Sequence, residues 1–310
     1  MFKKKRRPDS GASSILSGVS GDGNGSNQHA WSPSQIELER KAARSHKTRK
    51  ARLIAALSSL LVLGSLCAIV VLAPGFKVLR DTFFDWAYGV EVLPKVILGF
   101  TTNILLTIIA SMLVGAIALT LALIRTSRSP ALAPIRFLAT AYVDIFRSIP
   151  LILVILLVGF GIPALQIRGI TSNVLILGTI AVVITYSAYV AEVIRSGILS
   201  VHPSQKAAAR TLGLDNWQTM RHVILPQALR RVTPPLLNDL VALIKDTGLV
   251  SILGVTDAVR AAQIATSRTF NYTPYITAAV LFLCITIPLT RFTDRTLRKS
   301  MNAQNAQGQA

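Results

Sequence analysis

Residues 204–231, SQKAAARTLGLDNWQTMRHVILPQALRR, form a basic segment between two long apolar runs. The three alanines at 207–209 are strong helix formers, and Gly213 follows at the point where such a helix would end. Glycine enters the left-handed backbone conformation without steric cost, so it commonly terminates helices. The first half of the segment is therefore predicted to be a short helix that stops at Gly213.

A second short helix is predicted to follow the glycine. Asp215 has the position of an N-terminal cap, and Gln218 lies three residues later, as in a capping box. Pro226 is expected to bend or end this helix, because proline lacks an N–H group. The pattern alone leaves two interpretations open: an amphipathic loop on a membrane surface, or an element that docks a partner on the aqueous side.

The composition around this segment is that of a membrane protein. The chain of 310 residues is 51% hydrophobic and 15% charged, with a mean hydropathy of +0.52, which is too apolar for a soluble domain of this size. Because about 20 residues span a bilayer as a helix, the sequence predicts an all-α integral membrane protein with about six transmembrane helices. The six apolar runs lie at 53–73, 96–124, 137–162, 173–194, 232–255 and 274–290.

The net charge of +19 is unevenly distributed. Lysine and arginine concentrate in the two tails, in the connection at 125–136 and in the segment at 204–231, whereas the alternate connections carry few. This is the positive-inside pattern, which predicts that both termini and the 204–231 segment face the cytosol. It also argues against nucleic acid as a partner. The histidines and cysteines are scattered, so no metal site, catalytic triad or cofactor is predicted.

The 204–231 segment resembles the coupling loop of ABC importer permeases, whose signature is Glu-Ala-Ala, three variable residues, Gly, a spacer and a hydrophobic–Leu–Pro ending. The matching positions are Ala207, Ala208, Ala209, Gly213, Ile224, Leu225 and Pro226. Alanine replaces the family's glutamate at position 207. The resemblance implies either a weaker polar contact with the ATPase or pairing with a second permease that has the standard residue.

Four further stretches resemble the polar amino acid branch of these permeases. They are DIFRSIPL at 144–151, AYVAEVIRSGILSV at 188–201, LPQALRRVTPPLLND at 225–239 and LIKDTGLVSILGV at 243–255. The resemblance implies an importer of polar amino acids, of the glutamate or glutamine type as a first guess, with a type-1 transmembrane core. It implies as partners a second permease (identical or different), two cytosolic ATPases and an extracytoplasmic solute-binding protein. The chain has no G-x-x-x-x-G-K-[ST] motif, so ATP hydrolysis is expected on a separate subunit.

This interpretation divides the chain into five parts. They are a basic, disordered cytosolic tail at 1–52, an extra first span at 53–73, an extracytoplasmic segment at 74–95, the permease domain at 96–294 and a cytosolic tail at 295–310. The N-terminal tail is expected to fix orientation and to contact anionic lipid.

Charged groups inside membrane spans are costly and commonly functional. The predicted translocation path consists of Arg147, Glu192, Asn238, Lys245 and Asp246. Arg147 precedes a proline that suggests a bent helix, and its positive charge would suit an acidic side chain such as that of glutamate. The alternative is that these charges only pair and hold helices together, for example Glu192 with Arg195 or Lys245 with Asp239.

Two other functions fit parts of the sequence. One is a secondary transporter that uses the intramembrane carboxylates as a proton relay, but it leaves the 204–231 signature unexplained. The other is a membrane-anchored adaptor that binds lipid through its basic tail.

Overall fold

The computed structural model describes residues 35–127 and 129–307, and all regular structure in these ranges is helical. The basic cluster and the predicted disordered stretch before residue 35 lie outside the described residues. The helices are α1 (Gln35–Leu72), α2 (Phe76–Phe83), α3 (Trp86–Thr126), α4 (Ala133–Ser148), α5 (Leu151–Leu156), α6 (Ile162–Ala164), α7 (Val174–Ser200), α8 (Pro203–Thr211), α9 (Asn216–Gln218), α10 (Leu225–Asp246), α11 (Ala258–Thr269) and α12 (Thr273–Gln307). Turns of 3-10 helix at Pro130–Leu132 and Thr247–Leu253, and of π-helix at Leu157–Gly161 and Thr219–Ile224, join some of them.

The described helices confirm an all-α protein that crosses the membrane several times. Four helical segments are long and apolar enough to span a bilayer, and a bent pair makes five. The predicted span at 232–255 does not meet that criterion. It lies in α10 and the 3-10 turn that follows, where Asp239, Lys245 and Asp246 interrupt the apolar sequence.

Helix α1 forms a compact unit of its own, separate from the unit at 73–310. Its apolar part, Lys50–Leu72, agrees with the predicted first span at 53–73. From Leu53 onward it has no charged residue and is mainly leucine, valine, alanine and isoleucine, so it is apolar enough to span the lipid.

The predicted extracytoplasmic segment at 74–95 is largely helical. It contains α2 and the first turns of α3, which begins at Trp86 rather than at Val96. Asp85 caps this helix, because its side chain accepts a hydrogen bond from the N–H of Tyr88 at 3.1 Å. Such a cap satisfies a backbone N–H group at the start of the helix, so the helix can begin before the hydrophobic run.

The predicted disturbance before Pro150 is confirmed as a sharp bend. The segments Pro130–Ser148 and Leu151–Ala164 meet at 106°. Ile149 is extended, with φ of −95° and ψ of 131°, as expected for a residue before proline. The third predicted span is therefore two helices that meet at an angle.

Small residues pack the main core between α3 and α7, with α4, α5 and α10 around them. The fully buried alanines there include Ala110, Ala118, Ala122, Ala181, Ala188 and Ala191. Small side chains let the helices approach closely. The resulting van der Waals packing stabilises helix association in lipid, where the hydrophobic effect gives little driving force between helices.

A buried polar network joins α11 to α3. The amide of Asn103 donates to Asp257 Oδ2 at 2.9 Å, and its oxygen accepts from the N–H of Ala258 at 3.0 Å. Asp257 is fully buried. It caps α11 by accepting from the N–H of Arg260 at 2.8 Å.

Candidate functional site

The coupling loop, residues 204–231, begins with α8 and a tight left-handed turn. Gly213 has φ of +78°. Its N–H donates to the carbonyl of Arg210 at 3.0 Å, and the N–H of Leu214 donates to the carbonyl of Ala209 at 3.2 Å. These two bonds form a Schellman motif, which satisfies carbonyls at the end of α8. The predicted helix end at Gly213 is present.

The second helix of the coupling loop begins as predicted but does not stop at the proline. The Asp215 side chain accepts from the N–H of Gln218 at 2.8 Å, and the Gln218 side chain accepts from the N–H of Asp215 at 3.0 Å. The helix then widens into the π-helical turn Thr219–Ile224 and continues as α10 through Pro226. The helix does not end at Pro226, because the wide turn before it accommodates a residue without an N–H group.

The signature residues divide between the bundle and the surface. Ala209 and Ile224 are buried at 3% and 6% exposure, so they fix the coupling loop to the membrane helices. Leu225 is half-buried, and Pro226 is exposed. Ala207 is exposed, so no side chain there reaches back to the bundle.

An exposed apolar surface remains on the loop. We define the docking surface as Ala207, Ala208, Leu212 and Trp217, all of which are exposed; Leu212 is 81% and Trp217 is 61% exposed. The Arg210 guanidinium donates to Asn216 Oδ1 at 2.6 Å and so bridges the two halves of the loop beside this surface. Large apolar side chains that a monomer leaves in contact with water commonly mark a protein interface.

Two of the predicted path residues lie in an arginine cluster near the same end of the bundle. Glu192 accepts bonds from Arg125 at 2.7 Å and from Arg195 at 2.6 Å, and Arg147 Nη1 lies 3.9 Å from its Oε2. The predicted pairing of Glu192 with Arg195 is therefore present. Arg125 was not considered from the sequence, since it lies 67 positions before Glu192.

The other three predicted path residues lie on α10. Asn238 and Lys245 are exposed on this helix, and Asp246 accepts a bond from the Tyr186 hydroxyl at 2.7 Å. Within the described residues, Lys245 makes no ion pair, so the suggested pairing with Asp239 is absent. The five predicted residues thus lie on α4, α7 and α10, and side-chain contacts run from Asp246 through Tyr186 and Tyr189 to the carbonyl of Arg147.

Asp239, which was not selected from the sequence, has an unusual environment. Its Oδ2 is buried and has no hydrogen-bond partner within the described residues. The residue lines an open cavity of about 390 Å³ between α3, α7 and α10. The polar residues of its wall are Ser111, Tyr186, Thr233 and Asp239, and the remainder is mainly leucine and valine.

This cavity has the character of a small-molecule site. Ligand sites are typically apolar pockets of about 300–1,000 Å³ with a few placed polar groups. A buried carboxylate oxygen that lacks a protein partner is costly unless another group compensates it. The sequence signal was the charge of Asp239 inside an apolar run, but the run alone could not show that the residue faces a cavity.

Comparison with known proteins places this geometry in context. A family profile described as "Binding-protein-dependent transport system inner membrane component" matches residues 132–300. The chain is 36% identical over 208 residues to the probable glutamine ABC transporter permease protein GlnM of Bacillus subtilis, covering 65% of this chain and 93% of that protein. It is 29% identical over 224 residues to the arginine transport system permease protein ArtQ of the same organism, covering 71% and 99%.

Two solved structures are similar as well. A crystal structure of an amino acid ABC transporter with histidines matches with 32% identity and a TM-score of 0.63, covering 69% of this chain and 98% of that one. An inward-facing MetNI methionine ABC transporter matches with 22% identity and a TM-score of 0.56, covering 66% and 95%, and supports the fold alone. The range matched by the family profile includes the whole coupling loop and Asp239.

Proposed function

Because this chain belongs to the family of binding-protein-dependent transport system inner membrane components and is a permease subunit of an ABC importer, we propose that its cargo is a polar amino acid. It is a transporter subunit rather than an enzyme, and the ATPase is a separate protein. Its family works with a second permease, an ATPase and a solute-binding protein. We propose two permeases and two ATPases per transporter.

The docking surface is proposed to bind the ATPase. Ala207 and Ala208 of the signature, with Leu212 and Trp217, present small and large apolar side chains around a rigid turn. The positive-inside pattern supports a cytosolic location for this loop and for both termini. A shift between two transporter states would then be driven by ATPases that bind the two states unequally.

The position of the Asp239 carboxyl group on the wall of this apolar cavity is the observation that carries the substrate proposal. Every amino acid presents an ammonium group, and a buried carboxylate in an apolar cavity is the partner that such a cation needs. The Ser111 and Thr233 hydroxyls on the same wall donate to the carbonyls of Ile108 and Leu229, so they can accept a bond from an ammonium or amide N–H. The cavity therefore suits the ammonium group and a neutral polar side chain of an amino acid.

A glutamine-type cargo fits these walls better than glutamate. The lining residues include no arginine, lysine or histidine, so an acidic side chain would enter without a compensating cation. The glutamate prediction rested on Arg147, which lies beside Glu192 and not on this cavity. Two of the compared relatives are named for glutamine and for arginine, whose side chains are neutral and cationic, respectively.

The test is ATP-driven uptake in proteoliposomes that contain the complete transporter and its binding protein. Asp239→Asn should lower uptake of glutamine at least tenfold, because one charge-assisted bond to the ammonium group is lost. The thermal stability of the complex should stay equal or rise, since the substitution removes an uncompensated buried charge.

Asp294→Asn is the matched control, because Asp294 is an exposed carboxylate on α12 away from the cavity wall. This variant should transport normally. Normal uptake by Asp239→Asn would disprove the cavity as the substrate site, and uptake without ATP would disprove the ABC mechanism itself.

A further inference from the structure

A second cavity, at the coupling-loop end of the bundle, carries an excess of positive charge. It has a volume of about 490 Å³ and is lined by Arg125, Ala133, Arg136, Phe137, Thr140 and Arg195. Three helices supply this lining: α3 ends with Arg125, α4 contributes the residues from 133 to 140, and α7 contributes Arg195 five residues before its end. None of its lining residues belongs to the docking surface or to the Asp239 cavity.

The charges around this basic cavity do not balance. Glu192 bonds both Arg125 and Arg195, and Asp144 interacts electrostatically with Arg195. Within residues 35–127 and 129–307, the Arg136 guanidinium donates to the carbonyl of Ser127, at 2.7 Å, and forms no ion pair. With Arg147 beside Glu192, four guanidinium groups share two carboxylates, which leaves about two positive charges uncompensated at this place.

The guanidinium groups are held in position rather than free. Arg195 forms a forked pair with Glu192, at 2.6 and 2.9 Å, and Arg125 is only 9% exposed. Arginine arranged in this way is suited to bind the oxygens of a phosphate group. The half-buried Thr140 lies on the same wall, and its hydroxyl donates to the carbonyl of Arg136 at 2.8 Å.

Exposed apolar side chains of α4 lie at the edge of this cavity. Phe137 lines the cavity and is 72% exposed, and its neighbour Leu138 is 66% exposed. A free phosphate needs no such surface, whereas a phospholipid needs both a basic site for its head group and an apolar surface for its acyl chains. Basic pockets between transmembrane helices near a membrane surface are typical sites for anionic lipid head groups.

We propose that Arg125, Arg136 and Arg195 form a binding site for the phosphate of an anionic phospholipid, whose acyl chains lie along Phe137 and Leu138. The site is independent of the amino acid cargo. It would make the permease sensitive to the anionic lipid content of its membrane, at the end of α7 that leads directly into the coupling loop.

The test measures lipid binding to the assembled transporter by native mass spectrometry. Phosphatidylglycerol should bind more tightly than phosphatidylcholine with the same acyl chains. Arg136→Gln should weaken phosphatidylglycerol binding about fivefold, as expected for the loss of one basic residue near a membrane surface. Arg136 is the residue of choice because its removal leaves the Glu192 pairs intact.

Two variants make the result specific. Arg136→Lys should retain most of the binding because it keeps the charge, and Arg291→Gln, which changes an exposed arginine on α12, should leave binding unchanged. Equal losses in Arg136→Gln and Arg291→Gln would overturn the site. Two other results would also overturn it: equally tight binding of soluble glycerol phosphate, and binding to the isolated permease that disappears when the second permease assembles.

Discussion

Replacement of Gly213 tests whether the shape of the turn, and not only the presence of the loop, permits ATPase binding. The residue has φ of +78°, and a Cβ built there would meet no atom within 4 Å. The effect of a substitution is therefore confined to the backbone. A left-handed conformation costs an L-residue about 1–2 kcal/mol, with asparagine the most tolerant and β-branched residues the least.

This cost sets the size of the expected change. If the free loop relaxes out of the left-handed turn, ATPase binding must restore it, so Kd should rise about fivefold for Gly213→Ala and up to about 30-fold for Gly213→Val. Gly213→Asn should lie closest to the natural protein. Titration of the purified permease with its ATPase measures these values, and ATP-driven uptake should decline in the same order.

Gly161→Ala is the matched control, since Gly161 also has open space at its Cβ position but a right-handed φ of −66°. It should bind the ATPase normally. The Gly213 variants should insert into the membrane in similar amounts, because their membrane helices are unchanged. A Gly213→Val protein with unaltered ATPase affinity and unaltered uptake would refute the role assigned to the turn.

Two further predictions concern the arginine cluster and the orientation. Glu192→Gln leaves Arg125 and Arg195 without their shared carboxylate and should lower the free energy of unfolding by about 3 kcal/mol, the low end for a broken buried pair because Glu192 is 20% exposed. The thermal midpoint should fall, while the amino acids that compete for uptake stay the same. A changed competition profile would instead place Glu192 on the translocation path. In a cysteine-free background, a cysteine at position 168 should react with an impermeant label from outside and one at position 216 only after permeabilisation; external labelling at 216 would contradict a cytosolic docking surface.

The local features of the coupling loop could be predicted because they depend on neighbours in the sequence. Gly213 and the pair Asp215–Gln218 act over three or four residues, and both appear in the structure as predicted. The same local reasoning allowed a helix end at Pro226, where the helix in fact continues. The missing N–H group of proline normally disrupts a helix, but a π-helical turn before it removes the conflict, and no residue type marks such a turn.

The distant partners could not be predicted for a different reason. Glu192 and its near neighbour Arg195 form a pair that helical spacing suggests, whereas Arg125 reaches Glu192 only through the packing of α3 on α7. Asp257 follows an apolar run, a position that by itself indicates a connection between spans, yet it is fully buried against Asn103. Sequence position alone does not distinguish a solvent-exposed helix cap from a buried one.

Helix α10 connects the two proposed sites physically. It begins at Leu225 within the coupling loop and carries Asp239 fourteen residues later, which is about 21 Å along a helix. Pro234 and Pro235 lie between these points and remove two N–H donors, and proline is the commonest cause of a helix kink. A movement of the docking surface can therefore change the angle of the part of α10 that follows the prolines. The small-residue packing of α3 against α7 holds the opposite wall of the cavity in place. Such a bend would alter the distance between Asp239 and the Ser111 wall, which is the change that release of a bound ammonium group requires.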